Sequence, residues 1–208
     1  MPAKNDGIVS QYINRRFSRP LSICILRIWP NCDPNLISFI SAMLGFIGAV
    51  FFGGYQPIIG GILIQTSSII DGSDGEIARA TGKETFFGGF FDSVLDRYVD
   101  FAVITSMAYY SLQLLPAPWI LLLAMTTVSG SFLVSYTAAK AETKTDLHFP
   151  RTIQGRDTRL LLIFLAGISS ILTSWTIPLC LLLLTILTHG AVFLRIIQLK
   201  NDPNIEQS

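Results

Sequence analysis

Charge is spread along this chain so unevenly that it divides the sequence into hairpins. No Asp, Glu, Lys or Arg occurs in residues 34–70, in residues 101–139 or in residues 160–194. Each run is longer than the roughly 20 apolar residues that one helix needs to cross a hydrocarbon core about 30 Å thick. Each is also broken near its middle by turn-forming residues: "GGYQP" (53–57), "QLLPAPW" (113–119) and "TSWTIP" (173–178). Three hairpins predict six transmembrane helices, over about residues 34–53, 57–80, 86–112, 118–142, 155–173 and 177–199. Asp33 followed by Pro34 supplies an N-cap and a first-turn proline for the first of them.

The segment ahead of these helices reads differently. Val9, Tyr12, Ile13 and Phe17 fall on one helical face, with Asn14, Arg15 and Arg16 around it and Pro20 closing the helix. That pattern predicts an amphipathic helix lying on the membrane surface. The expected fold class is an all-α integral membrane protein, with six transmembrane helices and an N-terminal interfacial helix. The organisation follows: 1–33 a cytoplasmic juxtamembrane segment, 34–200 the six-helix domain, 201–208 a cytoplasmic tail.

Composition agrees, since half of the 208 residues are hydrophobic and 14% are charged, against about a quarter in a typical soluble domain. The net charge of +1 is uninformative; the placement of the cations is not. Lys4, Arg15, Arg16, Arg19 and Arg27 precede the first predicted span, Arg79 and Lys83 sit between the second and third, and Lys140, Lys144, Arg151, Arg156 and Arg159 between the fourth and fifth or on their ends. Arg195 and Lys200 follow the sixth, Arg97 lies a little inside the third, and the three opposite turns carry none. Positive residues stay inside, which predicts a multi-pass protein of the cell (inner) membrane with both termini cytoplasmic. Trp119 and Trp175 mark the outer interface. Cys24, Cys32 and Cys180 form no CxxC pair, so neither a disulfide framework nor a zinc site is expected. The polar start "MPAKNDGIVSQYINRRFSRP" lacks the apolar core of a signal peptide.

Against this background the stretch "SSIIDGSDGEIARATG" (67–82) stands out, followed as it is by Asp92, Asp96 and Asp100. At 1.5 Å per residue, Asp71 lies about 20 Å in from the outer end of its helix and Asp96 about 24 Å in from the outer end of the next. Both belong to the cytoplasmic third of the membrane, on adjacent antiparallel helices. Asp71, Asp74, Gly75 and Ala78 share one helical face; Gly88, Asp92 and Asp96 share another. Four carboxylates converging there repel unless protonated or neutralised by cations. Oxygen ligands without a His or Cys cluster suit Mg²⁺, Mn²⁺ or Ca²⁺ rather than zinc, and the small residues leave room for a ligand. A two-metal site gripping a diphosphate fits that mixture. Asp100, three residues from Arg97, reads as half of a structural ion pair, and His189 as a packing hydrogen bond.

Written as a pattern, the stretch is Asp71-x2-Asp74-Gly75-x2-Ala78-Arg79-x8-Gly88-x3-Asp92-x3-Asp96. It resembles the signature of the CDP-alcohol phosphotransferase family, with all eight fixed positions present. The resemblance implies transfer of a substituted phosphate group from a CDP-alcohol donor to an acceptor alcohol, with release of CMP, in phospholipid biosynthesis. It further implies two Mg²⁺ (or Mn²⁺) ions on Asp71, Asp74, Asp92 and Asp96, and Asp96 as general base. Asp71, Asp74, Gly75, Ala78, Arg79 and Gly88 would then bind the cytidine diphosphate. The protein would act as a homodimer in the bilayer, without nucleic-acid partners. "DGIVSQYINRRFS", "SYTAAKAE" (135–142) and "GRDTR" (155–159) resemble inositol-phosphate-type members, which leaves the donor open between CDP-diacylglycerol (or an ether-lipid analogue) and CDP-inositol.

The residues themselves bear on the acceptor through charge placement. Arg159 lies about 21 Å in from the outer turn, near the depth of the aspartates, Arg156 is its i−3 neighbour, and Lys140 ends the fourth helix. These three either bind an acceptor phosphate or snorkel to the interface. The carboxylates by themselves also suit a cation or proton transporter, or a structural metal site; against transport, the outer halves of the helices carry no acidic relay. The charge pattern makes one direct prediction. In the Gln56→Cys variant the new thiol is expected to react with an impermeant reagent from outside, and a reporter fused after Ser208 to be cytosolic. Cytosolic labelling at position 56 would overturn the hairpin assignment.

Overall fold

The computed structural model describes residues 12, 14–142 and 155–201. Among them there are seven helices and no strands: α1 (Arg15–Ile28), α2 (Pro34–Gly53), α3 (Pro57–Thr81), α4 (Phe86–Ser111), α5 (Ala117–Glu142), α6 (Arg156–Ser169) and α7 (Thr176–Lys200). Of these, α2, α7 and the Ala117–Ala141 part of α5 are long and apolar enough on their own to cross a membrane. Carboxylates interrupt α3 and α4, and α6 is short. It stops at Ser169, four residues before the expected end, because Ser169, Ser170 and Thr173 turn the chain through hydrogen bonds such as Thr173 N–H to Ser169 C=O.

Local chemistry sets the helix ends. The Asp33 carboxylate accepts from Asn35 N–H at 3.0 Å, with Pro34 in the first turn, as the sequence predicts. Thr85 caps α4 by accepting from Gly88 N–H at 3.0 Å. Gly82 ends α3 at φ +65°, a left-handed conformation that side chains rarely adopt, and Lys83 N–H then reaches back to Ala78 C=O. The Lys83 ammonium donates to the carbonyls of Asn31 and Cys32, tying the α3–α4 turn to the α1–α2 turn.

α3 lies at the centre of one half of the molecule, packed against α2, α1 and α6; α4 packs against α2, α5 and α7. The core runs through Phe52, Ile64, Val99, Val103, Met107, Leu160, Ile177 and Leu181. At the end of the bundle away from the acidic residues, helices approach closely through glycine. A Cβ on Gly60 would lie 2.8 Å from both Gly48 C=O and Phe52 N, and one on Gly167 would collide with the Pro57 carbonyl. Small residues at such crossings let helix backbones touch, which is how helices associate when lipid removes the hydrophobic drive.

α1 departs from expectation in two ways. It runs through Pro20 rather than ending there. Pro20 and Arg16, whose carbonyl loses its partner, are both exposed, so the unpaired group faces outward and the opposite face keeps the helix on α3. That packed face is polar, with Asn14, Ser18 and Ser22 buried, while Tyr12 and Phe17 of the expected apolar face turn outward. Val9 and Ile13 lie outside the described residues, as do Lys4, Lys144, Arg151 and the tail beyond residue 201.

The glycine contacts predict opposite outcomes at two positions. Gly60→Ala forces a methyl group against backbone and is expected to destabilise by about 1–3 kcal/mol. Gly190→Ala, where nothing lies within 4 Å, is expected to be neutral or to stabilise by up to about 1 kcal/mol through helix propensity. Thermal unfolding of both variants in the same detergent checks the pair.

Candidate active site

Helices α3 and α4 run antiparallel out of the Gly82 turn and bring the acidic residues together. One carboxylate oxygen from each of Asp71, Asp74 and Asp92 forms a group whose members all lie within 4.8 Å of one another. α2 supports two of them from the side. Ser41 donates to Asp71 Oδ1 at 3.0 Å, and Ser38 donates to Asp74 Oδ2. The Gly75 N–H donates to Asp74 Oδ1. Asp92 Oδ1 is buried with no hydrogen-bond partner. Three carboxylates that gather this closely, one of them with a buried oxygen lacking a donor, suit a hard divalent cation.

Asp96 lies one turn beyond Asp92 and has a different environment. Its Oδ1 is 2.7 Å from Arg156 Nη1, and the same nitrogen is 2.8 Å from Asp71 Oδ2. Arg97 Nη2 reaches Asp96 Oδ2 at 3.3 Å. Arg156, in the first turn of α6, therefore bridges the two acidic helices from the third side.

The pairing of Asp100 with Arg97 is overturned. Asp100 faces inward, and its Oδ2 accepts from Arg159 Nη2 at 2.7 Å and from Ser131 of α5 at 2.8 Å; Arg156 Nε is 3.5 Å from its Oδ1. Arg97 is part-exposed, whereas Arg159 is as deeply buried as Asp100. A desolvated carboxylate is compensated by the guanidinium that shares its burial, not by its nearest neighbour along the helix. His189 meets its expectation, with Nε2 3.0 Å from Thr126 C=O.

Around this centre the remaining motif residues are distributed unevenly. The Arg79 guanidinium folds back over Gly75, where a Cβ would lie 3.4 Å from Nη1. Gly88 sits against α2, since a Cβ there would meet Asn35 Oδ1 at 3.0 Å. Ala78 is half-buried between them and contributes its carbonyl to the end of α3. Lys140 is exposed in the last turn of α5. Arg159, expected beside it at a substrate phosphate, is 6% exposed and held by Asp100.

Sequence reasoning passed over Ser38, Ser41 and Glu76. Two hydroxyls three residues apart near the N-terminal end of an otherwise apolar helix were the available signal for the serines. Glu76 turns away from the other carboxylates: it accepts from Arg15, Ser18 and Ser22 of α1.

Comparison with known proteins gives the family and the fold. A profile of the CDP-alcohol phosphatidyltransferase family covers residues 32–197. The chain is 37% identical over 139 residues to a bifunctional IPC transferase and DIPP synthase of Aquifex aeolicus, covering 65% of this chain and 30% of that protein. It is 30% identical over 135 residues to an archaetidylinositol phosphate synthase of Pyrococcus horikoshii, covering 65% of this chain and 69% of the relative. The fold is that of Mycobacterium tuberculosis phosphatidylinositol phosphate synthase. With CDP-DAG bound, that structure gives a TM-score of 0.74 at 21% identity, over 90% of this chain and 96% of that one. With manganese and citrate the TM-score is 0.73 at 20% identity, over 89% and 90%. The matched chain thus spans under a third of the bifunctional Aquifex relative. With the family profile spanning the helices that carry the aspartates, this chain belongs to the CDP-alcohol phosphatidyltransferase family.

Proposed function

We propose that this chain is a divalent-metal-dependent CDP-alcohol phosphotransferase that moves a substituted phosphate group from a CDP-alcohol to a polar alcohol, releasing CMP. The observation that carries this reading is the three-oxygen group of Asp71, Asp74 and Asp92, with a buried Asp92 oxygen that no donor in the chain satisfies. α2–α7 all cross the bilayer in the proposed arrangement, with both termini and the acidic centre on the cytoplasmic side. Support comes from the uncharged opposite turns and the membrane family.

Asp71, Asp74 and Asp92 would hold Mg²⁺ or Mn²⁺, and Asp96 completes the set for a second ion. Such ions, when bound, neutralise the donor diphosphate and the charge that builds up on its bridging oxygen as CMP leaves. Charge supports the fit: five carboxylates (Asp71, Asp74, Asp92, Asp96, Asp100) meet three guanidinium groups (Arg97, Arg156, Arg159), a formal excess of two negative charges. The glycines and Ala78 leave the face of α3 and α4 low enough for a nucleotide to approach, with Arg79 beside it. Ser38 and Ser41 fix the carboxylate rotamers of Asp74 and Asp71. Asp96 accepts the proton of the acceptor hydroxyl as its oxygen bonds to phosphorus and the bond from phosphorus to the CMP oxygen breaks. Arg156, bridging Asp96 and Asp71, stands where an acceptor bearing a phosphate would be drawn to the base. An inositol phosphate is the acceptor class that this cation and the inositol-phosphate relatives support. Arg159 serves through Asp100 rather than by touching substrate.

The test is CMP release by the purified chain in nanodiscs, with CDP-diacylglycerol or CDP-inositol against inositol or inositol phosphate. EDTA is expected to abolish it reversibly, and Asp71→Asn, Asp74→Asn and Asp92→Asn to abolish it in folded protein. Activity that survives chelation would overturn the metal reading. Asp96→Asn is expected to keep CDP-alcohol binding while turnover falls about 10²–10⁴-fold; a near-normal kcat would assign the base elsewhere. For Arg156→Ala, loss of a charged partner worth about 2–3 kcal/mol is expected to raise the KM of the phosphorylated acceptor far more than that of the donor. Equal effects on both would remove Arg156 from acceptor binding.

A further inference from the structure

One carboxylate of the acidic stretch is directed away from the centre, and the whole of one helix is organised around it. Glu76 Oε1 accepts from Ser18 at 3.1 Å and from Arg15 Nη1 at 3.2 Å, with Arg19 Nε 4.0 Å away; Oε2 accepts from Ser22 at 2.8 Å. The contact continues along α3. Ser73 Oγ donates to Ser18 C=O at 3.4 Å, Asn14 donates to Ser68 at 2.9 Å, and Gln65 donates to Asn14 at 3.1 Å. Gln65, Ser68, Gly72 and Glu76 form a stripe roughly a third of a turn round α3 from the stripe of Asp71, Asp74, Gly75 and Ala78. α1 thus grips the back of the two turns whose front carries the aspartates.

We infer that Glu76 is a positioning residue: by anchoring α1 it fixes the rotation of the α3 turns that present Asp71 and Asp74. The inference rests on the metal reading of those aspartates. Those turns need an external hold, because Asp71-Gly72-Ser73-Asp74-Gly75 is a run of poor helix formers. A rotation of α3 by 15° moves a carboxylate about 5 Å from its axis by about 1 Å. Ligands of a preorganised site tolerate about half of that. α2 holds the front of the turns through Ser38 and Ser41, and α1 holds the back. No hydrogen bond joins Glu76 to Asp71, Asp74 or Asp92 among the described residues, so its effect passes through backbone alone.

Binding of Mn²⁺ to the full chain in nanodiscs, followed by loss of the free-ion EPR signal, tests this without turnover. Glu76→Ala is expected to weaken Mn²⁺ about 10-fold or more, as loss of an outer support does at metal sites, and Glu76→Gln to weaken it less. The geometry also provides a rescue. A Cβ on Gly72 would lie 3.5 Å from Ser18 Cβ, within the range of a disulfide. In a Cys24→Ser background, Ser18→Cys with Gly72→Cys is therefore expected to staple α1 to α3. Oxidation should then restore most of the Mn²⁺ affinity lost in Glu76→Ala, and reduction should remove it again. The stapled chain with Glu76 intact is the reference. If Glu76→Ala does not fold, Glu76→Gln carries the same comparison. Unchanged affinity in the Glu76 variants, or a staple that leaves affinity low, would overturn the inference. If the unaltered chain binds no Mn²⁺, the metal reading itself falls, and this inference with it.

Discussion

Three carboxylate oxygens within 4.8 Å of one another, inside a bundle of apolar helices, form the constraint around which the other helices are arranged. At an effective dielectric of about 20, two unit charges at that distance repel by roughly 3 kcal/mol. Neither α3 nor α4 contains enough donors to offset this, since both contribute mainly acids. Compensation has to come from elsewhere in the chain. α2 supplies two serine hydroxyls, α6 supplies Arg156 and Arg159, and α5 supplies Ser131. The residual negative charge suits a divalent cation, as in the proposed function.

The same demand explains why the molecule differs between its two ends. At the end away from the aspartates, helices meet backbone to backbone through Gly48, Gly60, Gly61 and Gly167. At the end that carries the aspartates they stand around charged and hydroxyl side chains. The cost falls on α3. The five residues Asp71 to Gly75 lose about 3 kcal/mol of helix propensity relative to alanine, at the place where ligand geometry matters most. Support from α2 in front and α1 behind offsets that weakness.

Arg156 shows how one side chain can belong to both the electrostatics and the chemistry. Its Nη1 lies within 2.8 Å of both Asp71 and Asp96, while Asp100 and Arg159 hold the rest of the buried network beneath it. An arginine in that position lowers the repulsion across the centre and, in the proposed reaction, would supply positive charge to an acceptor phosphate. Arg159, three residues later, has no such freedom, because its partner is the buried Asp100.

How much of this was legible in the sequence depends on the range of the interaction. Helix positions followed from charge-free runs and turn residues, because the period and length of a helix are local properties; only α6 was drawn too long. The spacing of Asp71, Asp74 and Asp92 sufficed to gather them, since i+3 and i+4 neighbours share a face and a short turn keeps the two faces within side-chain reach, although α3 and α4 each pack on α2 rather than on one another. Partnerships across the bundle were a different matter. Asp100 pairs with Arg159 rather than Arg97, Pro20 sits inside α1, and α1 packs by its serines rather than its apolar side. In each case the decision lies with burial: which face of a helix is enclosed, and which charge is desolvated beside it. The sequence by itself determined the helices, their faces and the acidic motif. Only the packing of α1, α2 and α6 around α3 decided which donor each carboxylate received, because that choice depends on distances between residues far apart in the chain.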